Sequence, residues 1–313
     1  MKKLLIYVAA IALLGGLALW FITQKEKSNE KKDNREYVTL LLQVHTEEAP
    51  DVDPEIIMEQ SAKCLEMRLD RIIPYNFTIE VQDTNKIKIN IVAKEYSDQA
   101  LASRINNLLR TGDLQFRTTL PSYEVWNALY EAETKDTINE ASIADYLNVA
   151  NEGNACLGYA HHSDTAEINQ MFRNLEAQNL LTGIKVKPMW SAKPRNGKHE
   201  LVAIFDNGVP ELKGDVVEKA RVEFDQVGNA WVSLEMNKKG ARKWADLTWR
   251  NIGKQIAIIL DGLVHSYPMV NQGIDGGVSS ITGNFTIEEA KDLANVLDIG
   301  KLPVKVSIID ITH

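Results

Sequence analysis

Residues 107–118, NLLRTGDLQFRT, and residues 295–306, NVLDIGKLPVKV, align without gaps and decide the fold. The two segments share an asparagine, two leucines and a glycine at matching positions, with Gly112 opposite Gly300. A glycine between an apolar helix and an apolar strand is typical of a helix that ends in a left-handed residue. Because the elements before each segment also follow one order, the pair indicates a duplicated unit.

The first copy shows alternating and helical periodicities in turn. Residues 38–44 alternate as in a strand with one buried face, and Asp53-Pro54 is typical of a helix start. Residues 77–91, FTIEVQDTNKIKINI, read as a hairpin, and a second helix is expected from about Ser97. A strand from Leu114 would complete the order β-α-β-β-α-β, the ferredoxin-like unit.

The second copy runs from about Val232 and carries the stronger hairpin signal. In KQIAIILDGLVHSYP, residues 254–268, Asp261-Gly262 separates two apolar runs. A helix is expected after Thr286. We therefore predict an α+β fold, in which two ferredoxin-like βαββαβ halves form a mostly antiparallel sheet base with an inserted, mainly helical head lobe.

The predicted domain organisation follows from these patterns. Residues 1–23 would form a membrane anchor helix, and the charged residues 24–36 a solvated linker. Residues 37–118 and 211–313 would form the base. Residues 119–210 show mostly helical periodicity and would form the inserted head.

The N-terminal segment predicts the location of the protein. Lys2 and Lys3 precede an uncharged run from Leu4 to Ile22, which is long enough to span a bilayer as a helix. The run is longer than the apolar core of a cleaved signal peptide, so an uncleaved anchor is favoured. Cations follow the run and count against export, but a short positive N-terminal tail usually stays inside. We expect a single-pass inner-membrane protein with its body in the periplasm.

Charge and cysteine content exclude other classes of protein. The net charge of -8 argues against nucleic acid as a partner, and no basic stripe with interleaved aromatic residues is evident. Cys64 and Cys156 lack metal-ligand spacing. They could form one disulfide, but two free or buried thiols are favoured.

Two stretches offer chemistry, and both have simpler readings. The glycines of residues 275–303 precede a helix that could bind a phosphate, yet the specific phosphate-binding motifs are missing, so a tight turn is favoured. His161, His162 and Asp164 could suggest a metal site, but adjacent histidines cannot both face one ion from a helix. We predict no catalytic residue, no metal, no cofactor and no small-molecule substrate, and hence no enzyme.

Large apolar side chains of the insert are the candidate contact residues. They lie at helical spacings, which is compatible with a core or with an exposed apolar groove that binds unfolded chains or partner helices. The candidates are Trp126, Tyr130, Met171 and Phe172.

The C-terminal third carries a set of motifs in a fixed order. They are LKGD (212–215), GKQIAIILDG (253–262), YPMV (267–270), DGGVSSITGNFTIEEAKDLANVL (275–297) and GKLP (300–303). In these motifs the chain resembles the first large periplasmic domain of SecD, a membrane subunit of the bacterial Sec protein-export machinery. The resemblance implies structural roles for Gly262, Pro268, Gly277, Gly283, Phe285 and Gly300.

The resemblance also implies a function. In that family the head is thought to contact the emerging preprotein, while membrane helices use the proton gradient. The family's glycine-rich entry to the first strand is replaced here by REYVTLLLQV (35–44), and the chain ends at His313, where further membrane helices would follow. We expect a truncated SecD-like protein that binds unfolded preprotein, Sec translocase subunits or both, without its own motor. The alternative is an exported binding module of the same fold that serves envelope assembly.

Overall fold

The computed structural model describes residues 37–72, 77–92, 98–150 and 154–312. The predicted anchor, residues 1–23, and the predicted linker, residues 24–36, lie outside this range. Within it, no helix is long and apolar enough to cross a membrane. The chain divides into two compact units, one formed by the chain up to Gly112 together with Ile287 onward, the other by Asp113–Thr286.

The strands of the described residues are numbered in chain order. They are β1 (Tyr37–Val44), β2 (Phe77–Asp83), β3 (Lys86–Val92), β4 (Leu114–Thr118), β5 (Asn148–Val149), β6 (Cys156–His161), β7 (Val186–Trp190), β8 (Lys198–Phe205), β9 (Leu212–Lys213), β10 (Val217–Phe224), β11 (Ala230–Met236), β12 (Ile256–Leu260), β13 (Leu263–Ser266), β14 (Val278–Phe285) and β15 (Val306–Thr312). The α-helices are α1 (Pro54–Ile72), α2 (Asp98–Leu108), α3 (Ser122–Glu133), α4 (Ile143–Tyr146), α5 (Thr165–Ala177), α6 (Lys238–Arg250) and α7 (Ile287–Ile299).

The first unit contains one four-stranded antiparallel sheet in the order β15-β1-β3-β2. The alternation predicted for residues 38–44 is confirmed, because Val38, Leu40, Leu42 and Val44 are all buried. These side chains share a core with Ile87, Ile89 and Ile91 of β3 and with the apolar face of α1. Period-two alternation therefore directs one face of the sheet onto its helices.

The assembly of the first copy differs from the expectation that the strand after Gly112 completes its sheet. Strand β4 instead pairs with β12, with Leu114 opposite Leu260 and Thr118 opposite Ile256, and β15 pairs with β1. Both β4 and β15 follow a helix and a glycine of positive φ, so local periodicity cannot tell which sheet either strand joins. The mixed α+β class with antiparallel sheets holds, but the first copy is not built from consecutive elements.

The second unit contains sheets in the orders β10-β11-β14, β13-β12-β4-β9 and β5-β6-β8-β7. Every residue of β12 is buried, which is typical of a strand covered on both faces. The hairpin predicted at Asp261-Gly262 is confirmed: both residues have positive φ, 51° and 81°, and Leu260 pairs with Leu263. Two consecutive left-handed residues fit the turn that matches strand twist.

The insert contains the expected helices together with a sheet that was not expected. Between residues 119 and 210, α3, α4 and α5 accompany the four-stranded sheet β5-β6-β8-β7. Strand β6 was missed because most of its residues are buried, so it shows no alternation of apolar and polar side chains. The sheet and the helices share one apolar core.

Both glycines have the predicted left-handed conformation, but only Gly300 directly follows its helix, because α2 already ends at Leu108. Gly112 has a φ of +78° and Gly300 a φ of +99°, the left-handed region that a glycine adopts without strain. The fully buried Arg68 of α1 joins the two ends. Its guanidinium donates to the carbonyl of Leu108 at 2.9 Å, to that of Arg110, and to that of Gly300 at 2.8 Å. One arginine thus satisfies carbonyls at the ends of both α2 and α7.

Candidate contact surface

Helix α3 presents aromatic side chains to solvent along one face. Tyr123 is 59% exposed and Tyr130 is 74% exposed. Since seven residues are close to two helical turns, the two rings lie on the same side of the helix. Trp126, three residues after Tyr123, is half-buried at the border of this face. We call Tyr123, Trp126 and Tyr130 the aromatic ridge.

The opposite face of α3 fixes the ridge to its unit. Val125, Leu129 and Ala132 are buried in the core that α3 shares with α5. An apolar stripe at this spacing holds an amphipathic helix in one orientation, with its other face toward water.

Two of the predicted contact residues are core residues. Met171 is 3% exposed and Phe172 is 5% exposed, and both pack in the core beneath α3. The expectation of an exposed groove is therefore wrong for this pair, because α5 directs its apolar face inward, Met171 and Phe172 included. They belong to the core against which α3 packs.

Trp126 is held in one orientation. Its indole nitrogen donates to the carbonyl of Leu157 on β6 at 3.1 Å, while its ring packs against the core. A tryptophan whose polar end is satisfied and whose ring is partly packed offers apolar area with little loss of conformational entropy on binding.

The ridge is acidic as well as aromatic. Glu124 and Glu131 are exposed, seven residues apart like the tyrosines, and α3 contains no lysine or arginine. The hydroxyl of Tyr123 donates to the carboxylate of Glu124 at 3.0 Å, and this hydrogen bond raises the pKa of Tyr123. The surface therefore suits an apolar segment that also carries cations.

Sequence reasoning missed Tyr123 and the flanking carboxylates. The signal that could have identified them is the repeat of Tyr-Glu seven residues on, at residues 123–124 and 130–131. Of the four predicted contact residues, the structure leaves Tyr130 exposed and Trp126 half-buried, and it places Met171 and Phe172 inside.

His161 and His162 belong to no cluster of metal ligands among the described residues. The rings of His162 and His199 are 5.7 Å apart, and Asp164 accepts a hydrogen bond from the hydroxyl of Ser163 at 2.8 Å. Across the part of the chain that the structure describes, no three His, Cys, Asp or Glu side chains gather as metal ligands.

Both cysteines are free thiols. Cys64 is half-buried and Cys156 is buried. Burial, assisted by the nearby carboxylate of Glu200, raises the pKa of Cys156 to about 11. Since the thiolate is the reactive form, Cys156 is unreactive at neutral pH.

Two motif glycines of the second unit, Gly277 and Gly283, sit in crowded backbone positions, whereas Gly262 does not. Gly277 has a φ of +65°, and a Cβ at this residue would lie 2.4 Å from the Cβ of Ala241. A Cβ at Gly283 would lie 3.0 Å from the ring of Phe285. The carbonyl of Pro268 accepts a hydrogen bond from the backbone N–H of Ile256 at 3.2 Å. These residues make backbone contacts within the fold.

Phe285 is an anchor for neighbouring side chains. Its ring stacks on that of His265 with centroids 6.3 Å apart, and the ammonium of Lys193 lies 4.9 Å from its centroid. The glycine-rich stretch thus ends in a packed aromatic residue before α7 begins.

Known sequences resemble this chain, one of them over most of its length and others over about a third of it. A family described as SecDF, P1 head subdomain matches residues 192–304. Protein translocase subunit SecD of Rhodothermus marinus is 32% identical over 318 residues, which cover 90% of this chain and 49% of that protein. The chain is a SecD P1-domain-like protein. SecD of Dictyoglomus turgidum is 48% identical over 105 residues, 34% of the SecD-like chain and 26% of that relative.

Solved structures resemble the SecD-like chain in fold. One, described as the structure and function of a membrane component SecDF that enhances protein export, is 25% identical, with a TM-score of 0.54, and covers 88% of this chain and 99% of that chain. SecDF in a super-membrane-facing form has a TM-score of 0.55 at 23% identity and covers 99% of this chain and 35% of that one, a likeness of fold alone.

The matches cover only part of the relatives, and the family match covers only part of this chain. The SecD-like chain spans about half the length of the Rhodothermus relative and about a quarter of the Dictyoglomus relative. The matched head subdomain, residues 192–304, overlaps the predicted insert only in residues 192–210. The division into base and inserted head stays a prediction.

Proposed function

We propose that this SecD-like chain is an accessory of Sec-dependent protein translocation that binds unfolded preprotein, translocase subunits or both. Its similarity to a translocase subunit over 90% of its length supports the assignment to this process. The observation that supports a binding role is the aromatic ridge, which α3 exposes to solvent while its opposite face is packed in the core.

The chemistry of the ridge suits an unfolded exported chain. Tyrosine and tryptophan rings bury large areas at low entropic cost and contact many different apolar side chains. Glu124 and Glu131 favour segments in which lysine or arginine accompanies the apolar residues. A ridge on one helix offers a small contact area, so the complex is weak and readily reversed, as the passage of a moving chain requires.

In this role the chain needs no motor and carries out no chemical step. We propose that residues 1–23 anchor it by a single pass through the inner membrane, with its body in the periplasm. Binding near the exit of a translocase would hinder backsliding of the exported chain without a source of energy in this polypeptide.

A second candidate function rests on the same ridge. An exported binding module that assists envelope assembly would also present aromatic side chains to partly folded partners. The two functions differ in the partner that contacts Tyr130, so identification of that partner distinguishes them.

Site-specific photocrosslinking tests the proposal. A photoreactive phenylalanine analogue would replace Tyr130 in the full-length chain in its own membranes, and Lys187, exposed on β7, would be replaced in the matched control. We expect nascent exported chains or Sec subunits to crosslink to position 130 and not to position 187. Equal labelling at both positions would contradict a role for the ridge, and capture of another envelope protein alone would favour the second function.

A further inference from the structure

Helix α6 carries a charge opposite to that of the chain. It buries Gly240, Trp244, Leu247 and Thr248 and exposes a cationic face. The exposed cations are Lys238, Lys239, Arg242, Lys243 and Arg250. The one carboxylate in the helix, Asp246, forms an ion pair with Arg250. The chain as a whole has a net charge of -8, so this face is a local reversal of sign.

The C-terminal end of this face is apolar. Trp249 is 57% exposed. Ile252, three residues later in the chain, and Met269, on a neighbouring segment, are also exposed. Backbone hydrogen bonds from Gly253 to Val270 and from Val270 to Lys254, both 2.9 Å, join the segments that carry Ile252 and Met269. Cations and exposed apolar side chains therefore share one surface, which we call the α6 face: the five cations with Trp249, Ile252 and Met269.

Trp249 is rigid although it is exposed. Its indole N–H donates to the carboxylate of Asp275 at 2.9 Å, and its ring packs so closely on Gly273 that a Cβ there would lie 2.3 Å from it. The backbone N–H of Ile274 donates to the Thr248 hydroxyl at 2.9 Å, which ties the same loop to the helix. A ring fixed in advance loses little entropy on binding, and Asp275 is engaged by the indole.

We propose that the α6 face docks on the headgroup layer of an anionic phospholipid membrane. Lysine and arginine near a membrane surface are attracted to anionic lipids, and tryptophan prefers the boundary between headgroups and acyl chains. A cationic helix face with a tryptophan at one end combines both properties. Four of the five cations lie in the first two turns of the helix and Trp249 lies in its last turn. A cluster of several cations suits the distributed charge of a lipid surface better than a single acidic side chain of a protein.

Quenching of Trp249 fluorescence by brominated lipid tests this proposal. The full-length chain would be placed in vesicles of neutral phosphatidylcholine, or of phosphatidylcholine with anionic phosphatidylglycerol, each with brominated acyl chains. The chain has 6 tryptophans, so the signal of Trp249 is the difference between the chain and its Trp249→Phe variant. We expect this signal to be quenched in anionic vesicles, and to be restored by neutral lipid or by high salt.

A charge variant and a matched control separate docking from the presence of the N-terminal apolar segment. The triple variant Lys239→Gln, Arg242→Gln and Lys243→Gln should weaken docking by about a hundredfold, since each cation near a membrane surface contributes about fivefold. The control variant Arg173→Gln, Lys185→Gln and Lys187→Gln removes three exposed cations from outside α6 and should leave quenching unchanged.

Three results would overturn the proposal. They are an unquenched Trp249 in anionic vesicles, equal quenching in neutral vesicles, and equal loss of quenching in the two triple variants. A labelled acidic peptide that binds the α6 face of the full chain in neutral vesicles, without lipid quenching of Trp249 in anionic ones, would assign the face to an acidic protein instead.

Discussion

Arg68 links the ends of two helices in the first unit. A fully buried guanidinium is costly to desolvate unless its donors are satisfied, and here the carbonyls at two helix ends accept from it. The glycines near these ends are evident in the sequence but the arginine is not, because Arg68 interrupts an apolar face with a residue type that is usually exposed. The glycine signal is local, whereas the partners of Arg68 lie far apart in sequence.

Arg68→Met is expected to destabilise the chain strongly. The variant removes the guanidinium that donates to carbonyls at the ends of α2 and α7, at about 1–3 kcal/mol for each group left unsatisfied. Urea unfolding followed by circular dichroism measures the loss. The matched control is Arg71→Met, which removes an exposed ion pair with Asp298 and should cost at most about 1 kcal/mol. A similar loss in both variants would show that Arg68 has no special role.

Gly277→Ala is expected to cost more stability than Gly262→Ala. Both glycines have positive φ, so both variants incur the conformational cost of about 1 kcal/mol. At Gly277 the added Cβ also meets Ala241, and such overpacking costs about 1–3 kcal/mol more. At Gly262 nothing lies within 4 Å of the added Cβ. Thermal unfolding of the two variants gives the comparison, and equal melting temperatures would contradict a packing role for Gly277.

Cys156 is expected to make stability fall at alkaline pH. Its pKa is raised from 9.0 to about 11 in the folded chain, so the folded state binds the proton more tightly than the unfolded state. This contribution is complete below pH 9 and is lost as the pH rises from about 9 to about 11. Urea unfolding at several pH values in this window should show a steeper decline for the wild type than for Cys156→Ala. Parallel declines would exclude this thiol as the source.

At the scale of elements, periodicity predicted which segments are strands and helices better than how they assemble. The hairpin at Asp261-Gly262 and the first strand follow from turn chemistry and alternation, both local properties. The exchange of β4 and β15 between sheets depends on pairing across the whole chain, which local pattern does not encode. The cationic face of α6 was also missed, because the expectation of no basic stripe came from the linear sequence, whereas a helix collects cations three and four residues apart.

The tyrosines of the ridge are expected to affect binding without affecting stability. Since Tyr123 and Tyr130 are exposed, their joint replacement by alanine should change the free energy of unfolding by at most about 0.5 kcal/mol for each site. The affinity for a fluorescein-labelled, unfolded peptide, in which leucine and lysine are spaced irregularly among glycine and serine, should fall about tenfold or more, as expected on loss of interface anchors. Fluorescence anisotropy measures this affinity.

Leu129→Ala on the opposite face of α3 provides the contrast. Leu129 is fully buried, so its truncation should cost about 2–5 kcal/mol of stability. At a temperature where this variant remains folded, its peptide affinity should stay within a few-fold of the wild type. A double tyrosine variant that binds the peptide as tightly as the wild type would exclude the ridge as the contact surface.

At the scale of the whole molecule, the chain combines a SecD-like fold with two surfaces suited to binding. The ridge is aromatic and acidic, and the α6 face is cationic with a rigid tryptophan, so the two favour different partners. Similarity over 90% of the chain to a translocase subunit supports a link to protein translocation. Exported chains on the ridge and lipid on the α6 face are the partners that we propose. The chain spans about half of that relative, so its part in the process is proposed from its own surfaces.

The most direct test of the central claim is a crosslinking pull-down of the full-length tagged chain from its own membranes, with partners identified by mass spectrometry. We predict enrichment of the Sec channel or of nascent exported chains over an unrelated tagged membrane protein, and loss of that enrichment in the variant with both Tyr123→Ala and Tyr130→Ala. Enrichment of neither, with another envelope protein recovered in their place, would contradict a role in protein translocation.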